Sequence, residues 1–183
     1  MRSLWLLAPQ GAAFWAAITA SPEWSDGRPD PMDRWSRRVI DGLAADLGGV
    51  AAYPFGLPHQ PFYAWALRSG RAWPSPVRLM VHDRMGLWAS FRGAIALPLD
   101  AAPGTPRPAP CATCTGQPCR TACPAQALTE AGYDLAACHA HLDQPAGAAC
   151  LLTGCAVRTS CPLGHGYGRL PEQSAWHMRH FHP

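Results

Sequence analysis

The sequence contains no lysine; all fifteen of its basic residues are arginine. A GC-rich coding sequence explains this, so no phosphate-binding role is inferred from it. Charge is scarce altogether, at 15% of residues with a net charge of +3 and a pI near 8.5. That balance is too mild to indicate a nucleic-acid partner. No stretch approaches the ~18 consecutive apolar residues of a membrane span. The opening MRSLWLLAP carries one arginine and an apolar run that breaks at Pro9, shorter than a secretory core. Arg37-Arg38 is internal and is no twin-arginine signal. A cytoplasmic location is therefore expected, without nucleic acid or membrane as partner. By contrast, apolar residues make up 48% of the chain and tryptophan occurs eight times, which argues against disorder. Twenty prolines and seventeen glycines imply many loops, and 183 residues suffice for one ordinary domain or two small ones.

The organising stretch is CATCTGQPCRTACP, residues 111 to 124. Cys111, Cys114, Cys119 and Cys123 are spaced C-x2-C-x4-C-x3-C, with Pro124 next. Several thiolates so close in sequence suit a soft, multi-iron cofactor, and the C-x3-C-P ending is an iron–sulfur form. Structural zinc more often uses two separated C-x2-C pairs, of which only one is present. Disulfides need an oxidising compartment. In two-cluster ferredoxins the cysteine before proline ligates the other cluster, so the run asks for a second set of cysteines. Cys138, Cys150, Cys155 and Cys161 supply it, and Cys161 again precedes a proline, Pro162. Two [4Fe-4S] clusters are expected. One would lie on Cys111, Cys114, Cys119 and Cys161, the other on Cys123, Cys138, Cys150 and Cys155. The reason is that each cysteine before proline should head a helix pointing away from its own loop. Should Cys150 not serve, His139 and His141 are the nearest substitutes. The tail histidines His177, His180 and His182 are expected to be exposed and inert.

Along the chain, residues 11 to 20 read as a short buried helix. Asp33 is expected to cap an amphipathic helix with Trp35, Val39, Leu43 and Leu47 facing inward beside Ile40, and with Arg34, Arg37, Arg38 and Asp41 in solvent. A strand near 50 leads into a proline-rich loop, then a helix over 62 to 69 with Phe62, Trp65 and Ala66 inward. Alternation over 77 to 81 and again over 87 to 97 predicts an antiparallel hairpin, with a turn at 83 to 86. Residues 98 to 110 read as a linker. A short helix is expected over 125 to 128, and another over 133 to 142 that carries Cys138 inward. Trp35, Trp65, Trp73 and Trp88 are expected to face the core of the first domain.

From about residue 35 to 163 the chain resembles epoxyqueuosine reductase and its cobalamin-processing and reductive dehalogenase relatives. The likeness rests on segments in the same order: a helix ending in Asp46-Leu47-Gly48, YAWALRSGRAW at 63 to 73, LMVHDRMGLWASFRGAIALPLD at 79 to 100, the cysteine run, DLAACHAHL at 134 to 142, and GCAVRTSCP at 154 to 162. The resemblance implies a nitroreductase-like platform that holds cobalamin, followed by a two-cluster module that reduces it. Three departures stand out. The chain is much shorter than that enzyme. The proton-donating acid should fall in AAYPFGLPHQP, 51 to 61, which contains no Asp or Glu. Where the family has C-x2-C-x3-C-P, this chain has Cys155 and then Cys161-Pro162, with Cys150 standing in for the lost ligand.

The expected architecture is α+β. A platform over 1–104 precedes a ferredoxin-like iron–sulfur module over 105–183. The expected function is electron transfer to a redox partner protein. The alternatives are a cobalamin-dependent reductase, with the loop 53 to 63 and the hairpin 79 to 97 flooring the corrinoid and His59 and His82 as polar contacts or proton donors, or an iron–sulfur module that only docks a partner.

Overall fold

The computed structural model describes residues 2–102, 104, 105 and 107–183. In chain order its elements are β1 (Ser3–Leu7), α1 (Gly11–Thr19), α2 (Pro22–Ser25), α3 (Pro31–Asp46), β2 (Val50–Ala52), α4 (Phe62–Arg68), β3 (Ala72–Pro74), β4 (Met80–His82) and β5 (Gly93–Leu97). There follow α5 (Leu135–Leu142), α6 (Ala148–Thr153), α7 (Ala156–Thr159) and α8 (Pro171–Phe181), with single 3-10 turns at 110–112, 118–120, 145–147 and 162–167. Helices combined with small antiparallel sheets make the chain α+β. Among the described residues no helix is long and apolar enough to cross a membrane.

The chain divides into two compact units, 1–70 with 90–106, and 71–89 with 107–183. This differs from a single boundary near residue 104. Residues 71–89 leave the expected platform and belong to the cysteine-bearing unit. Trp73 and Trp88 go with them.

In the first unit β5 lies between β1 and β2, antiparallel to both, with Trp5 and Ala51 opposite Ile95. The N-terminal apolar run is thus an edge strand. Ile40 and Ala44 of α3 pack on Ile95 and Leu97. The buried stripe of α3 is Met32, Ser36, Ile40 and Ala44, one position round the helix from the expected one. Val39 and Leu43 are exposed. The shift has a local cause. Gly93 presents no side chain, and a Cβ there would lie 2.6 Å from Ile40 Cδ1. The strand therefore admits Ile40 where the sequence pattern suggested only an interruption.

Asp33 does not cap α3. The capping position is Asp30, in the left-handed region at φ 53° and without a side-chain cap. Asp33 instead pairs with Arg92, which also donates to Ser36 Oγ. The arginines of α3 are not simply solvated either. Arg34 pairs with Asp26 at 2.7 Å and Arg38 pairs with Glu23. The Arg37 guanidinium lies 4.5 Å from the centre of the Tyr53 ring. Trp35 is half-buried and meets Phe14 edge-on at 5.4 Å. Phe62 and Ala66 are buried on α4 and Trp65 is half-buried beside them.

In the second unit the expected hairpin of 77–81 with 87–97 is replaced. β4 pairs with β3, Trp73 opposite Val81, whereas β5 belongs to the sheet of the first unit. The run 77–81 is broken because Arg78 takes φ 62° and the Ser75 N–H donates to the Leu79 carbonyl, which closes a turn. The turn expected at 83–86 is present, with His82 and Gly86 exchanging both backbone hydrogen bonds at 3.0 Å. Val77, Val81 and Leu87 then form a core with Leu128, Val157, Cys119 and Cys161. Around this core α8 packs on α6. Asp134 caps α5 by accepting from the Ala137 N–H at 2.9 Å. No helix forms over 125 to 128: Gln126 sits at φ 51° and its N–H closes a turn on the Cys123 carbonyl.

Candidate functional site

All eight cysteines carry free thiols, and Cys119 and Cys161 are buried. Cys111 lies in the first 3-10 turn of the cysteine run and Cys119 in the second. Gln117 Nε2 ties them by donating to the Cys111 carbonyl at 3.0 Å. These turns wrap Cys111, Cys114 and Cys119 around one cavity, and Cys161 arrives in the same cavity from the far end of the second unit. The cavity is partly open to solvent, and Val81 and Leu87 supply apolar wall.

Cys161 reaches it because Pro162 opens a 3-10 turn over 162–167 and because the chain facing it is Gly86. A Cβ on Gly86 would fall 2.9 Å from Cys161 Sγ and 2.6 Å from the Gly164 nitrogen. The geometric reason for expecting crossed cysteines thus applies at Cys161-Pro162. At Cys123-Pro124 it does not, since a turn stands where a helix was expected.

The first set shows the electrostatics of crowded thiols. Burial pushes the Cys111 thiol up, and Cys119, Cys161 and Cys114 add to the push. Cys119 is raised by burial and then by Cys161 and Cys114. Cys111 and Cys119, held from ionising beside two further thiols, belong to a donor set that a cationic metal group would relieve. Ser75, also on the cavity wall, has a buried hydroxyl with no partner among the described residues. A sulfur-rich group would take that hydrogen bond. Among the described residues no three His, Cys, Asp or Glu groups close on a point as a single-ion site. These four cysteines surround a cavity instead.

The second set is linked more loosely. Cys155 precedes α7, where burial pushes its thiol up while the Arg158 and Val157 N–H groups and the Arg158 charge pull the other way. Cys150, on α6, is near enough to raise Cys155 further. Cys138, on α5, accepts a hydrogen bond from the Tyr133 hydroxyl at 3.3 Å, and the charge of Cys155 is also felt at Tyr133. Cys123 accepts from the Ala127 N–H at 3.2 Å and, like Cys111 and Cys155, packs against the core. Donors aimed at sulfur suit thiolate ligands.

The histidines divide differently from expectation. His59 is exposed in the first unit. His82 is in the second, where its Nδ1 accepts from the Arg84 N–H, and burial pulls its pKa down. The tail is helical, and His182 is engaged: its Nδ1 lies 2.6 Å from His139 Nδ1 and its Nε2 lies 3.0 Å from Asp143 Oδ1. That correction has a physical source, because Phe181 stacks on Tyr133 and on His139 and holds the tail against α5. His139 is engaged through its Nδ1 by His182, and His141 Nε2 is buried without a partner among the described residues.

Sequence reasoning missed Ser75, Gly86, Tyr133 and Arg158. Only Arg158 carried a signal, as the one charge inside GCAVRTSCP. Compared with known proteins, the chain matches no family model, no curated protein and no solved structure.

Proposed function

We propose that the protein is an iron–sulfur electron-transfer protein that binds two [4Fe-4S] clusters. The first would be held by Cys111, Cys114, Cys119 and Cys161, the second by Cys123, Cys138, Cys150 and Cys155. The observation that carries the reading is the common cavity of three cysteines from one run and Cys161 from the other end of the unit. Such clusters supply one-electron chemistry. The chain's own part is to hold the thiolates, to exclude water with Val81 and Leu87, and to offer hydrogen bonds to sulfur from Ser75, Tyr133 and Ala127. The second unit would be a ferredoxin-like module serving a redox partner protein, and the first a nitroreductase-like platform. Protein made anaerobically is expected to contain about eight irons and eight sulfides per chain. A value near four would leave one cluster, and one zinc without sulfide would end the proposal.

A cobalamin-dependent reductase is the lesser reading. Residues 51 to 61 contain no carboxylic acid. Their one phenol, Tyr53, donates to Asp41 Oδ1, and its pKa is raised by burial and by Asp41. A proton held that tightly is a poor general acid at neutral pH. The protein is expected not to reduce an epoxide-bearing nucleoside with added cobalamin and a strong electron donor. Turnover followed by chromatography of the product would restore the reductase reading.

A further inference from the structure

The net charge of the chain is unevenly placed. Residues 1–70 with 90–106 carry seven arginines and seven carboxylates, and so balance. Residues 71–89 with 107–183 carry eight arginines against five carboxylates, and so hold the whole excess of three. Within that unit, residues 131–183 balance again, with three of each. The excess therefore lies on 71–89 and 107–130, where five arginines meet only Asp83 and Glu130. These two stretches supply most of the wall of the Cys111, Cys114, Cys119 and Cys161 cavity.

Packing shows how the excess is kept. The Asp83 side chain, 7% exposed, is shared by Arg71 at 2.6 Å and Arg107 at 3.4 Å. Glu130 also serves two arginines: Arg78 donates to its carbonyl at 2.7 Å and Arg120 pairs with its carboxylate. Each group is left one positive charge over, and each joins the 71–89 stretch to the cysteine-run stretch. Arg84, exposed on the turn between Val81 and Leu87, is the third. The cavity wall itself bears no charged side chain, and neither does any residue from 108 to 119. Ala112, Thr113, Thr115 and Gly116 are exposed beside it, as are Pro162 and Leu163. Neutral contacts at the centre with charge at the rim are the layout of a small redox interface.

We infer that this face docks an acidic one-electron carrier protein, which exchanges an electron with the group held by Cys111, Cys114, Cys119 and Cys161. One electron leaves the reduced member of the pair and enters the oxidised one, and no bond or proton moves. The inference rests on the iron–sulfur reading. Three excess charges interleaved with two carboxylates suit the acidic patch of a protein, whereas a phosphate backbone is held by a denser basic surface. Complementary charge of this kind acts mainly on the rate of encounter and weakens with salt.

Anaerobic full-length protein is first assayed for iron and sulfide. It is then mixed in a stopped-flow cell with an acidic [2Fe-2S] ferredoxin, one partner reduced, and transfer is followed in the direction in which it proceeds. The second-order rate constant is expected to fall about tenfold or more from low to high salt. A basic c-type cytochrome should show the opposite trend. Arg84→Glu should slow the ferredoxin reaction at low salt, converge with the parent at high salt, and keep its iron. Arg179→Glu, exposed on α8, makes the same change in net charge and should leave the rate close to that of the parent. Arg107→Gln, which leaves Asp83 to Arg71, replaces Arg84→Glu if that variant fails to fold. A parent chain without iron and sulfide would overturn the reading and the inference together. Bound clusters with no transfer, with a rate indifferent to salt, or with equal slowing in Arg84→Glu and Arg179→Glu would overturn the inference alone. So would retention of a random-sequence RNA that Arg84→Glu abolishes while transfer is unchanged, since the face would then belong to nucleic acid.

Discussion

Replacing Trp88 with alanine should destabilise the second unit by about 3–5 kcal/mol, the usual range for removing a packed tryptophan. The ring lies in a slot formed by two glycines. A Cβ on Gly164 would stand 2.9 Å from Trp88 Cδ1, and one on Gly154 would stand 3.0 Å from Trp88 Cη2. Backbone walls of this kind collapse poorly on a void, which puts the cost toward the upper part of the range. Arg169 would lose the ring beneath its guanidinium as well. Against a total of about 5–15 kcal/mol for a folded domain, such a loss brings the unit close to unfolding. Denaturant titration of the anaerobic protein, with hydrogen exchange resolved over 71–89 and 107–183, reads the effect directly. Trp88→Phe should recover most of it. An unchanged midpoint in Trp88→Ala would mean that the slot carries no packing energy.

The second large effect is expected at Gly86. Alanine there meets the Gly164 nitrogen at 2.6 Å, Cys161 Sγ at 2.9 Å and Gly164 Cα at 3.0 Å, from a backbone at φ 55°. The left-handed conformation costs a non-glycine residue roughly 1–2 kcal/mol, and overpacking adds about 1–3 kcal/mol. The atom most able to yield is Cys161 Sγ, since the other two belong to the main chain. Gly86→Ala is therefore expected to lose stability and to lower iron from about eight toward four per chain, the stoichiometry of one remaining [4Fe-4S] cluster. Gly116→Ala is the control. It shares the positive φ, 74°, but its Cβ would have nothing within 4 Å, so it should pay only the backbone term and keep its iron. Equal iron in both variants would separate Gly86 from the site.

The tail corrects the sequence reading for an instructive reason. HMRHFHP looks like polar end residues, and nothing in its composition points to α5. Once α8 packs on α6, Phe181 stacks with Tyr133 and His139, and His182 spans His139 and Asp143. A histidine's environment is a property of what lies opposite it. The same holds for Arg158: the sequence marks it as one more arginine, and only packing sets its guanidinium on the Leu87 carbonyl.

What the sequence determined by itself was local. Helices over 11–19 and 62–68, the Asp134-capped helix of Cys138, the turn at 83–86 and the spacing of the cysteine run depend on interactions within a few residues. Such interactions are written in neighbouring side chains. Tertiary structure decided what depends on distant partners. The alternation of 87–97 marked a strand but not its neighbour, and β5 pairs with β1 and β2 because α3 offers Ile40 to the gap at Gly93. The stripe of α3 turned by one position for the same contact. Cys161 lies some forty residues beyond Cys119, and only the core of Val77, Val81, Leu87 and Val157 brings them together. Spacing named the eight cysteines and grouped Cys161 with the first three; what brings it to their cavity is the burial of apolar side chains that contain no sulfur at all.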